Sequence, residues 1–168
     1  GMAIQAALTG HFVISTLHTN DAPSAITRLL ELGVAPYLIK ATVLGVMAQR
    51  LVRTLCSECR REAPADAEGW AELVKPWDVP MPETMATADG CSACRDTGFK
   101  GRAGIYELLT MTESVKQLIS DQMDIGVMQK RGVEEGMRTL RLSGADKVAL
   151  GQTTIEEVLR VAPQSGYG

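Results

Sequence analysis

The chain has 168 residues, of which 45% are hydrophobic, and a formal net charge of −3 at pH 7. This length fits one domain, or one domain with a small module, and the apolar content is normal for a globular protein. The acidic balance argues against a dedicated nucleic-acid-binding protein, and no apolar run is long enough to predict a membrane span.

The first predicted elements are a helix end and a strand. Apolar residues between positions 4 and 8 have helical spacing, and Gly10 is placed to end that helix. The short apolar run 12–17 predicts a strand buried on both faces of a parallel sheet. We expect the chain to be a fragment of a longer protein, because it opens with Gly1-Met2 and what looks like the end of a helix. The alternative is a natural N-terminus with a short helix.

The predicted strand ends abruptly in four polar residues, His18 to Asp21. Ligands of open α/β sheets bind beyond the carboxyl ends of the strands, so chemistry is expected here. His18 is placed to donate a hydrogen bond to a phosphate oxygen, and His11 lies at the opposite end of the strand. The alternative for both is a polar strand end whose imidazole is satisfied by backbone groups.

Two helices are predicted next. Asp21 is expected to cap the first, which ends near Gly33. The second is expected to follow Pro36 and run to about Arg50, deeply buried because apolar residues cover most of its circumference. Residues 51–55 either continue this helix or form a short strand.

Four cysteines stand in two C-x-x-C pairs, Cys56 with Cys59 and Cys91 with Cys94, separated by residues 60–90. Two such pairs can form a closed tetrahedral shell of four thiolates, which predicts a structural Zn²⁺ site. The alternatives are a redox pair, two structural disulfides and inert thiols. No signal peptide is visible, so we expect a reducing cytoplasm.

The segment between the pairs is acidic, and we expect one short helix capped by Asp66 within an extended loop that the two pairs clamp. Glycines around the second pair allow tight turns that point amides at sulfur. Cationic side chains near the cysteines either neutralise the thiolates or are ordinary solvated charges. They are Arg53, Arg60, Arg61, Arg95, Lys100 and Arg102.

After the second pair, residues 103–109 are predicted to form a strand that returns to the body. Helices follow: one capped by Thr112, a weakly marked one near 127–133, and a last one that begins near the capping-box spacing of 153–156. The tail 163–168 is expected to fray. The dipeptide Gly-Lys never occurs, so no phosphate-binding P-loop is present, and the chain alone does not contain a complete active site.

Several runs resemble, in the same order, segments of the type II secretion and type IV pilus assembly ATPases. Residues 8–22 resemble the histidine box of that family, and residues 48–56 resemble the run into its tetracysteine module. Residues 98–109 resemble the segment after that module, and residues 134–140 and 151–159 resemble the C-terminal helices. Only residues 60–90 are unlike the family.

This resemblance implies an α/β fold: the C-terminal part of a RecA-like P-loop ATPase core with an inserted Cys₄ zinc module and a C-terminal helical subdomain. The implied divisions are 1–55 for the core, 56–102 for the zinc module with its acidic loop, and 103–168 for the returning strand and helical subdomain. The parent would be a homo-hexameric motor that couples ATP hydrolysis to pilus or pseudopilus assembly. Its Walker A and Walker B motifs would lie upstream, with ATP and Mg²⁺ as cofactors of the parent only, so this chain alone is expected to be inactive.

The resemblance also implies partners and site residues. The partners are inner-membrane platform and assembly proteins, with the motor cytoplasmic and peripheral at the inner membrane. His18 and His11 match the histidine box, which lies beside the γ-phosphate in the family. Gln49, Arg50 and Arg102 match positions expected to contact nucleotide or a neighbouring subunit, the alternative being packing or a salt bridge. Two other functions stay open, a zinc-ribbon adaptor that binds a protein partner and a thiol-redox switch.

Overall fold

The computed structural model describes residues 1–164 as a mixture of helices and strands, which confirms the predicted α/β class. The helices are α1 (Met2–Leu8), α2 (Ala22–Glu31), α3 (Pro36–Thr42), α4 (Ala67–Val74), α5 (Glu113–Lys116), α6 (Ile125–Glu134), α7 (Leu140–Ala149) and α8 (Ile155–Val161). The strands are β1 (Gly45–Leu55), β2 (Arg60–Pro64), β3 (Thr84–Ala88) and β4 (Phe99–Thr110). Most of the tail predicted to fray lies outside the described residues. No helix in the described range is long and apolar enough to cross a membrane.

The described residues divide into two compact units. Residues 1–48 and 107–137 form the first, and residues 49–106 and 138–164 form the second. Strands β1 and β4 pair in one two-stranded sheet, and β2 and β3 pair in another.

The first unit is built around a cluster of buried apolar side chains from its helices and from the end of β4. Asp21 caps α2 as predicted, because its Oδ1 accepts a hydrogen bond from the Ser24 amide at 2.9 Å. Thr112 caps α5 in the same way, with its hydroxyl accepting from the Val115 amide at 3.3 Å. The buried cluster comprises Ala22, Ile26, Ile39, Leu109, Met111, Val115, Ile119, Met128 and Met137.

The prediction that 12–17 forms a buried strand is wrong for this structure. The segment has no regular secondary structure, and Phe12 and Ile14 are 77% and 83% exposed. A strand needs a hydrogen-bonded neighbour. The sheets of the described residues are the pairs β1–β4 and β2–β3, and neither extends to this segment.

The predicted long helix after Pro36 is also wrong. Helix α3 ends at Thr42, and β1 then runs from Gly45 to Leu55. Ala48 and Val52 are buried while Met47 and Leu51 are exposed, which is the two-residue alternation of a strand. The expected deep burial therefore fails for much of the segment, since Leu44 and Met47 are 72% and 62% exposed. The alternative of a strand over 51–55 is confirmed.

Hydrogen bonds at both ends show that β1 and β4 are antiparallel. The Met111 amide donates to the Leu44 carbonyl at 3.1 Å, and the Cys56 amide donates to the Gly98 carbonyl at 2.9 Å. Strand β4 contains the strand predicted over 103–109. The segment between the cysteine pairs is more regular than predicted, because β2 and β3 pair antiparallel from Arg60↔Ala88 to Pro64↔Thr84. Helix α4, capped by Asp66, is confirmed.

In the second unit, α4, α7 and α8 pack against one another around Trp70, Leu73, Leu142 and Val158, all buried. Helices α7 and α8 approach closely at Gly144, where a Cβ atom would collide with the side chain of Val158. Helix α7 was not singled out from its sequence pattern. Thr139 caps it, accepting a hydrogen bond from the Leu142 amide at 3.1 Å.

A buried carboxylate ties α8 to the last residues of β1. Glu157 is 2% exposed and accepts hydrogen bonds from the Arg53 amide at 3.0 Å and from Arg53 Nη2 at 3.0 Å. Arg160 Nη2 donates to the same carboxylate at 2.6 Å, and the Arg53 guanidinium lies 4.3 Å from the centroid of the Phe99 ring. Burial opposes ionisation, but the hydrogen bonds from Arg160 and Arg53 outweigh it and lower the pKa of Glu157 to about 2.

We predict that Glu157→Gln lowers the free energy of unfolding at pH 7 by about 1–3 kcal/mol, because one buried acceptor loses its charge beside two guanidiniums. The folded pKa lies below the usual 4.5, so the carboxylate stabilises the fold fully above pH 4.5. This contribution is lost as the pH falls toward 2, and the difference between wild type and variant should shrink over that range. Urea unfolding at several pH values measures it.

The adjacent and exposed Glu156 provides the matched control, since Glu156→Gln removes a charge outside this cluster. Equal stability of wild type and Glu157→Gln at pH 7 would contradict the assignment.

Candidate metal centre

The four cysteines meet at one point of the second unit. The Sγ atoms of Cys56 and Cys91 are 3.8 Å apart, those of Cys59 and Cys94 are 3.9 Å apart, and those of Cys91 and Cys94 are 3.8 Å apart. All four sulfurs lie within 4.8 Å of one another, and none of the four residues forms a disulfide. The structure thus brings the two predicted pairs together.

These distances fit a tetrahedral metal site. Four sulfurs placed about 2.3 Å from a central Zn²⁺ are separated from each other by about 3.8 Å along the edges of the tetrahedron. A disulfide would instead require sulfurs about 2 Å apart. The donor set is four thiolates with no protein nitrogen or oxygen, which suits a closed-shell soft or borderline cation with a structural role.

The turn around the second pair points backbone amides at sulfur, as the glycines predicted. The amides of Cys91 and Gly98 each donate to Cys94 Sγ at 3.2 Å. Gly98 has a φ of +80°, and a Cβ atom there would come within 3.0 Å of the Ala88 carbonyl oxygen. A glycine is therefore needed at this position to present its amide to the thiolate.

The surroundings of Cys94 and Cys59 shift the pKa values of their thiols in opposite directions. Burial opposes ionisation of Cys94, but the amides of Cys91 and Gly98 outweigh it and lower the pKa of Cys94 to about 6. Burial and the neighbouring thiols raise the pKa of Cys59 to about 12. A hydrogen bond with the Gly90 backbone lowers this pKa, but its effect is smaller than that of burial. The backbone amides around Cys94 thus favour its thiolate, the form in which cysteine binds a metal ion.

The β2–β3 hairpin explains how the pairs find each other. Strand β2 begins immediately after Cys59, and β3 ends three residues before Cys91. Pairing of Arg60 with Ala88 closes the ladder next to the sulfurs. Residues 84–88 show no two-residue alternation, since the adjacent Met85 and Ala86 are both buried, so the sequence carries no pattern that predicts β3.

Three of the nearby arginines have partners other than sulfur. Arg53 pairs with Glu157, and Arg61 pairs with Asp89 through two hydrogen bonds of 2.9 Å. Arg60 Nη1 donates to the Gly151 carbonyl at 2.8 Å. These contacts favour a structural role over thiolate neutralisation for all three.

The other candidate residues are not among the four clustered cysteines, and their roles stay predictions. His11 is exposed, with Nδ1 at 3.1 Å from Thr9 Oγ1 and 3.3 Å from the Ala6 carbonyl oxygen. His18 is exposed and stands three residues before the cap of α2. On β1 and β4, Arg50 Nη1 donates to the Gln49 carbonyl at 2.8 Å, and Arg102 is exposed.

One buried group near the histidine segment was not predicted. Glu107 is 1% exposed, and its Oε2 accepts a hydrogen bond from the Ala22 amide at 2.6 Å. Its burial follows from the two-residue alternation of β4. Ile105 and Leu109 are buried, so the residue between them on the same face, at position 107, also points inward.

Comparison with known proteins places this arrangement in a family. A family model described as type II/IV secretion system protein matches residues 1–160. The chain therefore belongs to the type II/IV secretion system protein family. This confirms the resemblance seen in the histidine-box and tetracysteine segments.

Curated relatives match nearly the whole chain. It is 50% identical over 162 residues to a type IV pilus assembly ATPase, TfpB, of Acinetobacter baylyi, covering 96% of this chain and 28% of the relative. It is 43% identical over 164 residues to the type II secretion system ATPase E of Vibrio cholerae, covering 98% of this chain and 32% of the relative. It is 39% identical over 159 residues to the type IV pilus assembly ATPase PilB of Myxococcus xanthus, covering 94% of this chain and 28% of the relative. The chain thus spans about a third or less of the length of these relatives.

We predict that Cys59→Ser abolishes stoichiometric metal binding, because three thiolates leave the tetrahedral shell open. Without the ion, the hairpin should open and residues 56–94 should become sensitive to protease while other regions resist. Elemental analysis and limited proteolysis with mass spectrometry measure both effects.

Ser57→Ala, at an exposed position inside the same C-x-x-C pair, is the matched control and should retain the ion. An unchanged digestion pattern in Cys59→Ser would show that the metal does not hold this segment together.

Proposed function

We propose that this chain is the C-terminal part of a hexameric motor ATPase that couples ATP hydrolysis to pilus or pseudopilus assembly. The observation that carries the proposal is the match over 94–98% of this chain to proteins named as assembly or secretion ATPases. Both secretion and pilus relatives match at similar identity, and the proposal covers either machine.

The exposed apolar run 12–17 supports a RecA-like core completed by other parts of the protein. Phe12 and Ile14 present large apolar surfaces to solvent, which a soluble protein normally buries. The matched relatives are about three times longer than this chain, so in a protein of their length other residues are available to cover the segment. We therefore assign 1–55 to the core, 56–102 to the metal module and 103–168 to the returning strand and helical subdomain.

In this proposal, nucleotide chemistry depends on two parts of the protein. A P-loop outside this chain holds the phosphates of Mg-ATP, because no Gly-Lys dipeptide occurs here. His18 and His11 lie beside the γ-phosphate, where an imidazole can donate a hydrogen bond to a phosphoryl oxygen. Gln49, Arg50 and Arg102 contact nucleotide or the neighbouring subunit of the homo-hexamer.

The metal module has a structural task in this motor. Cys56, Cys59, Cys91 and Cys94 hold Zn²⁺, which neutralises half of the thiolate charge and closes the base of the hairpin. The motor acts at the cytoplasmic side of the bacterial inner membrane, on platform and assembly proteins of the machine that it drives.

The acidic hairpin favours a second candidate, a zinc-ribbon adaptor that binds a protein partner. Residues 60–90 carry three basic and seven acidic side chains, a surface suited to a basic partner. An adaptor would need no nucleotide, so ATP hydrolysis by the complete protein separates the two candidates.

We predict that the full-length protein hydrolyses ATP in a Mg²⁺-dependent manner and that this chain alone does not. His18→Ala in the full-length protein should lower kcat at least about tenfold while the melting temperature changes little, because His18 is exposed. Steady-state phosphate release and thermal unfolding measure the two effects.

Arg28→Ala, which changes an exposed side chain of the following helix α2, is the control and should keep wild-type turnover. Mg²⁺-dependent turnover by the isolated chain would exclude the proposed division of labour. Wild-type turnover of His18→Ala would remove the role given to that histidine.

A further inference from the structure

The segment that carries His18 is held to the body of the first unit through a short series of hydrogen bonds. Thr19 Oγ1 donates to the Asp21 carbonyl at 3.2 Å, and Asp21 Oδ1 accepts from the Ser24 amide. Both bonds are local. The Ala22 amide makes the long-range contact, donating to Glu107 Oε2 at 2.6 Å across 85 residues of sequence.

Glu107 occupies a place where β4 would otherwise bury an apolar side chain. It is 1% exposed, and its inward-facing neighbours Ile105 and Leu109 are 0% and 1% exposed. Removing a carboxylate from water costs several kcal/mol unless charge-assisted hydrogen bonds compensate. The start of α2 offers such a donor, because the Ala22 amide lies 2.6 Å from Glu107 Oε2.

The hydrogen bond between Ala22 and Glu107 fixes the point at which the segment carrying His18 joins the first unit. Asp21 is 2% exposed and Ala22 is 0% exposed, whereas every residue from 11 to 18 is exposed. Asp21 and Ala22, the first fully buried residues after this exposed segment, lie three and four residues after His18. A histidine that must reach a phosphate within a few tenths of an ångström depends on the position of these two residues.

We propose that Glu107 is a positioning residue for the histidine segment: by holding the Ala22 amide, it fixes the start of α2 and thereby the placement of His18 against the nucleotide. This inference rests on the proposed ATPase function. Glu107 itself touches no substrate in this scheme and acts through His18.

The test uses the full-length ATPase with Glu107→Leu and Glu107→Gln. Leucine fills a similar volume but cannot accept the Ala22 hydrogen bond, so kcat should fall at least about tenfold with KM for ATP changed less than about threefold. The glutamine amide oxygen can still accept this bond, so Glu107→Gln should recover most of the turnover. Glu135→Gln is the matched control, because Glu135 accepts hydrogen bonds from Thr112 and Ser114 at the start of α5 and not from the histidine segment.

A double-mutant cycle separates positioning from a structural role. If Glu107 acts through His18, Glu107→Leu should lower kcat no further when His18 is already alanine. Multiplicative losses in the double variant, or a loss that follows only the unfolded fraction in thermal melts, would overturn the inference while leaving the ATPase assignment intact.

If Glu107→Leu cannot be purified folded, Ala22→Pro gives an independent measurement. Ala22→Pro replaces the amide proton with a ring carbon that cannot donate to Glu107, at a position where the first turn of a helix tolerates proline. It should reproduce the loss of kcat, and wild-type turnover in this variant would overturn the inference. Absence of ATP hydrolysis in the wild-type full-length protein would instead refute the proposed function as well.

Discussion

The convergence of four cysteine sulfurs on one point organises the second unit. Each C-x-x-C turn brings two sulfurs together, but the two turns are separated by residues 60–90, and closing such a loop has an entropic cost. The hydrogen bonds of the antiparallel β2–β3 ladder offset part of that cost, because they hold the two ends of the loop side by side. Structural zinc sites contribute about 10–16 kcal/mol of apparent binding free energy in small peptides, enough to hold such a loop closed.

The geometry within each cysteine pair could be predicted from the sequence because its determinants are local. A two-residue spacing between cysteines restricts the directions of both thiols, and Gly98 reports a turn that only glycine adopts easily. Caps at Asp21, Asp66 and Thr112 were predicted for the same reason, since each accepts a hydrogen bond from an amide three residues ahead. These features depend on neighbours in the sequence and hardly on the tertiary fold.

The wrong predictions concern apolar runs whose structure depends on distant partners. Residues 12–17 have the composition of a buried strand, but a strand forms only where another strand can pair with it. Residues 43–50 carry apolar side chains on all sides of a hypothetical helix, and pairing with β4 selects the strand instead. Glu107 was missed for a related reason: its inward orientation became visible only after the register of β4 was known, and its partner Ala22 lies 85 residues away.

The close approach at Gly144 limits how α7 and α8 can vary. Any side chain at this position would press on Val158, so the two helices would have to separate or rotate to accept one. Small residues at a helix crossing act in this way as a spacer of fixed thickness. Substitutions on the solvent-facing sides of these helices can therefore change the angle between them. Their separation is fixed, because the side chain of Gly144 is only a hydrogen atom.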